Sequence, residues 1–337
     1  MVARSQQGAS VGTASFRSGP KPFRPRVARR SDGDGVVTSK TAHAALVQIP
    51  PRALPPLRRS CIQALQTLPL PVWRIYNRSI RTLGRHRTAV TWFSARMDVD
   101  ISDFIGMFIY HFGVWEPHVS AAIAARLGPG DVFCDVGANI GYHSLLASRA
   151  VGDTGQVVAI EASPSIAQQL EHNLRLNAAG NVRVVQAAAS DRRGRVTLFR
   201  GEQGNSGKTT TVAGHGQEQE ADVRCAPLHE LLTAEELARL RLIKIDVEGA
   251  EGAIINDFLD NRACYADDVD LIVEISGGQE HVARVVGRFR SIGYEPYLLR
   301  NDYDVASYLR FQRVEPPLPW TIPHGGQQDI LLTRRGR

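Results

Sequence analysis

From residue 131 onward the chain repeats one pattern: a short apolar run, a turn, then an amphipathic stretch. Runs at 131–136, 156–161, 181–186, 242–246 and 271–275 are short and rich in Val, Ile and Leu, which reads as strands buried on both faces. Between them, 142–150 carries helical spacing, and Ser163 followed by Pro164 marks a capped helix that Gly180 closes. Further helices are expected at 227–238, 250–259 and 280–290, and further strands at 196–199, 294–299 and 330–332. Strands alternating with helices predict an α/β fold, a doubly wound Rossmann-like parallel sheet with helices on both faces. Ligands of such sheets sit beyond the carboxyl ends of the strands. Chemistry is therefore expected just after Val136, Ile160, Gln186, Ile245 and Glu274.

Upstream the pattern changes. Residues 1–57 combine Gly, Ser, Pro and Arg without an apolar period and read as a disordered basic tail with a Pro-rich linker. Residues 58–94 read as a helical and strand lead-in, interrupted at Pro69 and Pro71. The catalytic domain is placed at 95–337, with strand-like segments at 89–93 and 99–101, an aromatic cluster reaching residue 112, and a helix opened by Trp115-Glu116-Pro117.

Charge sharpens this division. Residues 1–60 hold eleven Lys or Arg against Asp32 and Asp34, out of chain totals of 40 Lys+Arg and 34 Asp+Glu. The basic balance of the whole chain, +6, thus belongs to its first sixty residues, and the remainder carries more acid than base. That argues against a nucleic-acid enzyme with a basic catalytic face, and no stable nucleic-acid partner is expected. No apolar stretch is long enough for a membrane span. The first thirty residues are Arg- and Ser-rich without acids, as transit peptides are, but the reading adopted is a solvated tail. Four widely spaced cysteines suit a reducing cytoplasm, and an Ala-, Arg- and Gly-rich composition suits a GC-rich bacterium.

The chemistry-bearing turn is Asp135-Val136-Gly137-Ala138-Asn139-Ile140-Gly141. Glycines let the backbone bend tightly and approach a ligand, and the following helix N-terminus offers free N–H groups. Glu161 ends the next strand, placed to accept from both hydroxyls of a ribose. The spacing is not the Gly-x-Gly-x-x-Gly of a pyrophosphate site, and a carboxylate at Asp135 would repel a pyrophosphate while suiting an ammonium. S-adenosylmethionine, which has no phosphate and carries ammonium and sulfonium charges, fits those signs.

DVGANIG at 135–141 and KIDVEGAE at 244–251, with Trp115-Glu116-Pro117 and Glu161-Ala162-Ser163-Pro164, resemble the FkbM family of methyltransferases across roughly residues 95–335. The resemblance implies a class I methyltransferase sheet and S-adenosylmethionine as cofactor. It implies cofactor contacts at Asp135, Gly137, Asn139, Gly141 and Glu161, with Ala188 to Asp191 bordering the adenine, and it brings Glu116 and Asp246 into the same set. It also implies O-methylation of a hydroxyl on a sugar, glycan or secondary metabolite.

Asp246, at the carboxyl end of a central strand, is the candidate for positioning the acceptor hydroxyl or removing its proton, and Glu274 ends a neighbouring strand. Together those two acids could hold a divalent metal, but their spacing does not demand one and no metal is assigned. Glu251 is explained equally by its place in a helix first turn. His143 is expected to face packing or solvent. The GNSG stretch at 204–207 is either a cover for the site or an ordinary surface loop. Two alternatives remain open: a methyltransferase-fold scaffold or binding protein, and methylation of protein or nucleic acid. An Asn-Pro-Pro-Tyr type of acceptor motif is absent where IDVEG stands, which lowers base N-methylation.

Overall fold

The computed structural model describes residues 70–82, 85–200, 218–310, 313–321 and 326–334. The tail at 1–57, residues 58–69 of the lead-in and the GNSG stretch lie outside the described residues. In chain order the helices are α1 (Leu70–Thr82), α2 (Phe104–Phe112), α3 (Pro117–Arg126), α4 (Tyr142–Val151), α5 (Pro164–Leu176), α6 (Leu228–Leu231), α7 (Ala234–Arg239), α8 (Glu251–Asp260), α9 (Gln279–Ser291) and α10 (Val305–Arg310). The strands are β1 (His86–Val90), β2 (Arg96–Asp100), β3 (Val132–Val136), β4 (Gln156–Glu161), β5 (Val182–Gln186), β6 (Ala188–Ser190), β7 (Gly194–Phe199), β8 (Gln219–Pro227), β9 (Leu240–Ile245), β10 (Asp270–Ile275), β11 (Tyr294–Leu299), β12 (Leu318–Pro319) and β13 (Gln328–Arg334).

The main sheet has eight strands in the order β12-β11-β13-β10-β9-β3-β4-β5. Strands β10, β9, β3, β4 and β5 pair in parallel. The expected doubly wound α/β sheet is therefore present, with one correction: it is mixed rather than all parallel. β13 inserts antiparallel between β10 and β11, and β12 pairs antiparallel with β11. The short helix α10 lies between β11 and β12, but antiparallel neighbours need no crossover across a sheet face, so the chain can return beside β11.

Side chains alternate across the sheet with period two. Phe133, Val157, Ala159, Leu242, Ile272 and Leu331 face one core layer with α3, α4 and α5. Val132, Cys134, Val158, Ile243, Val273 and Ile330 face the other with α8 and α9. Two polar runs follow from this alternation. Asp135 and Lys244 sit two residues beyond Phe133 and Leu242 on the first face, and Glu274 and Asp329 neighbour Ile272 and Leu331 there. In register Asp135 lies opposite Lys244, and Glu274 opposite Asp329. All four are nearly fully buried.

Most boundaries follow from local signals. Ser163 accepts from the Ile166 N–H, as a helix cap should, and Pro164 is the first helical residue. Helix α5 stops at Leu176, before Gly180, because Asn177 caps it and ties back to Asn173. Three expectations need correction. The strands expected at 89–93 and 99–101 are β1 and β2, which lie earlier, at 86–90 and 96–100, and the aromatic cluster that follows them forms helix α2, capped by Asp103. The expected helix at 227–238 is two short helices, split because Thr233 and Glu236 form a capping box that starts a new one. Strand 196–199 is part of β7, which joins β8 and β6 in a separate three-stranded sheet. The β1–β2 hairpin spans residues 86–100 and packs on α5, where the Asp98 N–H donates to Asn173 Oδ1 and the Asp98 carboxylate meets His172. The turn between its strands is where the sequence placed the start of the catalytic domain. In α1, Pro71 falls in the first turn, where a missing N–H costs nothing. Among the described residues no helix is long and apolar enough to cross a membrane.

Candidate active site

The turn after β3 is built on backbone that only particular residues tolerate. Gly137 has φ 80°, and a Cβ there would stand 1.8 Å from the Asp246 carbonyl oxygen. The two central strands β3 and β9 therefore meet closely at their carboxyl ends, where the Asp246 N–H also bonds to the Val136 carbonyl at 3.0 Å. Asn139 takes φ 49°, and its own side chain accepts from the Ile140 N–H. Gly141, at φ 91°, caps α4 and leaves room for Leu170, which a Cβ would meet at 2.5 Å.

Glu161 ends β4, buried, with each carboxylate oxygen taking one backbone N–H: Oε2 from Asn139 and Oε1 from Ser163, both at 2.9 Å. Burial pushes its pKa up to about 7 against those two bonds. A slot of about 80 Å³ runs past it, lined by Gly137, Asn139, Glu161, Ala188, Asp246 and Glu248 among others. On its far side Ala187, Ala188 and Ala189 form an apolar wall. Of the residues expected beside an adenine, Ala188 lines this slot, while Asp191 is exposed and does not.

A second cavity, of about 310 Å³, adjoins the slot. Gly137, Asn139, Asp246 and Glu248 line both. Its other walls are aromatic (Phe104, Trp115, Tyr142, Tyr303) and acidic (Glu116, Glu274). Glu116 is the N-cap of α3 with φ 45°, a strained conformation for a non-glycine. It is held from residues far along the chain: the Tyr308 hydroxyl accepts its N–H at 2.9 Å, and the Tyr303 hydroxyl donates to its Oε1 at 2.8 Å. Burial, with Asp246 and Asp329 nearby, pushes its pKa up to about 8. Glu274 is pushed to about 10, chiefly by burial and then by Asp246 and Asp329. Asp329 lies behind the cavity wall, receives Asn301 at 2.7 Å, and is pushed by burial to about 7. One carboxylate oxygen from each of Glu116, Asp246 and Glu274 falls within 4.8 Å of the others.

One buried cation answers these acids. Lys244 Nζ donates to Asp246 Oδ2 at 2.6 Å. Burial opposes its charge, yet Asp246, Asp135 and Glu116 more than offset that, and the ammonium is held above the ordinary lysine value. Asp135 accepts from Ser144 at 2.6 Å through Oδ2, while its Oδ1 has no hydrogen-bond partner. Burial raises its pKa, and it lies beneath the turn rather than in either cavity wall. Gly141 likewise lies outside both walls.

The sequence thus placed Glu116, Gly137, Asn139, Glu161, Ala188, Asp246 and Glu274 on cavity walls. It missed Lys244, Tyr303 and Asp329. Lys244 had a usable signal, since a lysine in an otherwise apolar strand must have a buried partner. His143, expected to face packing or solvent, is buried and lines the larger cavity, with Nε2 3.3 Å from Ser120 Oγ. Burial holds its pKa well below the ordinary value, so the ring is neutral. Glu251 caps the turn before α8 by accepting the Gly249 N–H, and it lines neither cavity.

Residues 135–296 match the family described as Methyltransferase FkbM domain. A protein-L-isoaspartate O-methyltransferase of Methanococcus aeolicus is 36% identical over 70 residues, covering 20% of this chain and 32% of that protein. Protein-L-isoaspartate O-methyltransferase 2 of Archaeoglobus fulgidus is 29% identical over 109 residues, covering 32% of this chain and 48% of its own length. The chain therefore spans about a third and about half of these two relatives. Among solved structures, the precorrin-6y C5,15-methyltransferase of Geobacter metallireducens shares 15% identity at a TM-score of 0.37, over 64% of this chain and 89% of that one.

Proposed function

We propose that this chain, whose residues 135–296 belong to the FkbM methyltransferase domain family, transfers a methyl group from S-adenosylmethionine to a hydroxyl oxygen of a small-molecule or glycan acceptor. Methyltransferase chemistry follows from the family, and the sheet is of the class I methyltransferase kind. The hydroxyl acceptor is the further step. The observation that carries it is the wall shared by slot and cavity: Gly137, Asn139, Asp246 and Glu248 face both. A cofactor in the slot and an acceptor in the cavity would meet there.

The residues fit the cofactor on their own chemistry. Gly137 lets the Asp246 backbone close in at the carboxyl ends of β3 and β9, and its own backbone is exposed on the wall of the slot. Glu161, already held by two backbone N–H groups, keeps lone pairs for ribose hydroxyls, and the alanine wall suits an adenine face. Asp246 and the ionised form of Glu116, with Lys244 the one lysine or arginine on the cavity walls, suit a cation. When bound, S-adenosylmethionine supplies a methyl carbon on a positively charged sulfur leaving group.

The remaining work falls to the protein. Trp115, Phe104 and Tyr303 present aromatic faces against which a sugar or other apolar ring face can rest. Lys244 fixes the Asp246 carboxylate toward the shared wall, where it can accept a hydrogen bond from an acceptor hydroxyl and orient the oxygen. Glu116, pushed up to about 8, holds its proton in most molecules at neutral pH, and its ionised form, which grows toward alkaline pH, can receive the proton released from that oxygen. Glu274, at about 10, holds its proton and serves as a donor. The two curated relatives are named for transfer to oxygen, which supports oxygen over nitrogen.

The test is calorimetric titration with S-adenosylmethionine, with NAD as control, on the full chain and on Glu161→Ala, followed by a screen of sugar and polyketide-like alcohols. Selective binding lost in the variant, then methyl transfer to a hydroxyl, is the expected result. A folded protein that binds neither cofactor would favour the scaffold reading, and transfer only to a protein side chain or to nucleic acid would overturn the acceptor class.

A further inference from the structure

Helix α1 carries a surface that the site does not use. Val72, Ile75 and Tyr76 stand at i, i+3 and i+4, so they share one stripe of the helix. They are among the exposed large hydrophobics of the protein, Ile75 at 67%. The helix is pinned on another flank by Ile80, which packs on the core cluster of α2 to α4, and at the edge of the stripe by Tyr76, whose ring lies 5.7 Å from that of His111. Exposed Arg74 and Arg78 form a second stripe, and the helix contains no acid.

Charge around it is one-sided. No Asp or Glu occurs between Asp34 and Asp98, while ten Lys or Arg fall in that interval. This basic balance is what distinguishes the N-terminal part of the chain from the rest, and methyl transfer makes no use of it.

We propose that α1 docks the chain onto an anionic phospholipid surface, lying in the headgroup plane with Val72 and Ile75 inserted and Arg74 and Arg78 at the level of the phosphates. An amphipathic helix with a cationic polar face and low overall hydrophobicity has this preference, and arginine stems can extend their charges outward while the apolar stripe is buried. Neighbouring basic residues add attraction within a Debye length of the surface. Nucleic acid would be served by the arginines alone and leaves the exposed Ile75 stripe unexplained. Helix α2 links this surface to the site: its last turn meets α1 through His111, and its first-turn residues Phe104 and Ile105 line the larger cavity. A nine-residue helix spans roughly 13 Å, so the docked face stands about one helix length from the cavity.

The test is co-sedimentation of the full chain with vesicles of phosphatidylcholine alone and of phosphatidylcholine with about a third phosphatidylglycerol. Binding to the anionic vesicles, weakened by high salt, is expected. Val72→Glu/Ile75→Glu and, separately, Arg74→Gln/Arg78→Gln should each weaken it by about tenfold or more, with melting temperature and cofactor affinity unchanged. The proposal is overturned if the wild-type chain stays in solution, or if both variants still bind as tightly, which would assign binding to the basic residues before the helix. It is also overturned if light scattering shows a lipid-free dimer that Ile75→Glu dissociates, since a second copy would then cover the stripe. Equal binding to duplex RNA by the wild type and by Val72→Glu/Ile75→Glu, without vesicle binding, would assign the charge to nucleic acid.

Discussion

Tyr303 donates its hydroxyl proton to Glu116 at 2.8 Å, across 187 residues of sequence. The same hydroxyl receives Asn301 at 2.9 Å and lies 3.4 Å from Glu274 Oε2. The ring closes one wall of the larger cavity and sets the proton affinity of the acid opposite it. Removing the hydroxyl takes a hydrogen bond from the Glu116 carboxylate, which raises its pKa. Tyr303→Phe is therefore expected to shift the alkaline-going limb of the turnover profile upward and to reduce turnover by about tenfold, with cofactor affinity little changed. A profile that keeps its midpoint would remove Tyr303 from the proton path.

Asp246→Asn tests the residue that lines both slot and cavity. The amide keeps the volume but cannot accept a proton or pair with Lys244. Turnover should fall by about 10²-fold or more, while calorimetry still registers the cofactor. Turnover at the wild-type rate would end this assignment.

Gly137→Ala places a methyl 1.8 Å from the Asp246 carbonyl oxygen at a φ of 80°. The backbone of β3 or β9 must shift, at a cost of about 2–4 kcal/mol from strain and clash. Cofactor binding should be lost with it. Gly180→Ala is the control, because nothing stands within 4 Å of its Cβ position. Denaturant unfolding of both variants checks this, and equal midpoints would contradict the close approach of the two strands.

Above about pH 6.5 stability should depend on pH in one direction. Glu116, Glu161, Glu251, Glu274 and Asp329 titrate above their ordinary values, in each case chiefly because of burial. A carboxyl that binds its proton more tightly folded than unfolded contributes stability below its unfolded pKa and loses it as pH rises through the folded value. Buried His118 and His143, held below the ordinary histidine value, oppose this trend up to about pH 6.5, so the cofactor-free protein should melt at progressively lower temperature from about pH 6.5 to pH 9. Bound S-adenosylmethionine favours the ionised acids, so it should flatten that slope and release protons on binding. Calorimetry in two buffers of different ionisation enthalpy measures that release, and cofactor affinity that rises toward acid pH would contradict the cationic fit.

Much of the site could be read from short stretches of sequence. The turn at 135–141 declares itself by its glycines, and Glu161 by its place at the end of the next strand. The cap at Ser163 and Pro164 is local chemistry that the fold reproduces residue for residue. Errors arose where a distant element decides. The aromatic cluster carried no assigned element, and the Asp103 cap and packing against Trp115 and Tyr308 make it helix. β13 runs antiparallel because of where the chain returns, which its apolar run does not encode.

The sequence by itself determined the alternation that sends Asp135, Lys244 and Glu274 to one face of the sheet, because side-chain direction in a strand repeats every two residues. It also marked the glycine turn by its local pattern, although the atoms that exclude a Cβ there, the Asp246 carbonyl oxygen and the Leu170 side chain, arrive from elsewhere in the chain. Which strand lies beside which was decided by tertiary structure. The parallel pairing of β3 with β9 sets Asp135 opposite Lys244, and the antiparallel insertion of β13 sets Asp329 opposite Glu274. Packing of the 301–310 segment brings Tyr303 and Tyr308 onto Glu116. The acid cluster and its proton affinities arise from burial and from charges far apart in the chain, and both exist only once the layers have closed.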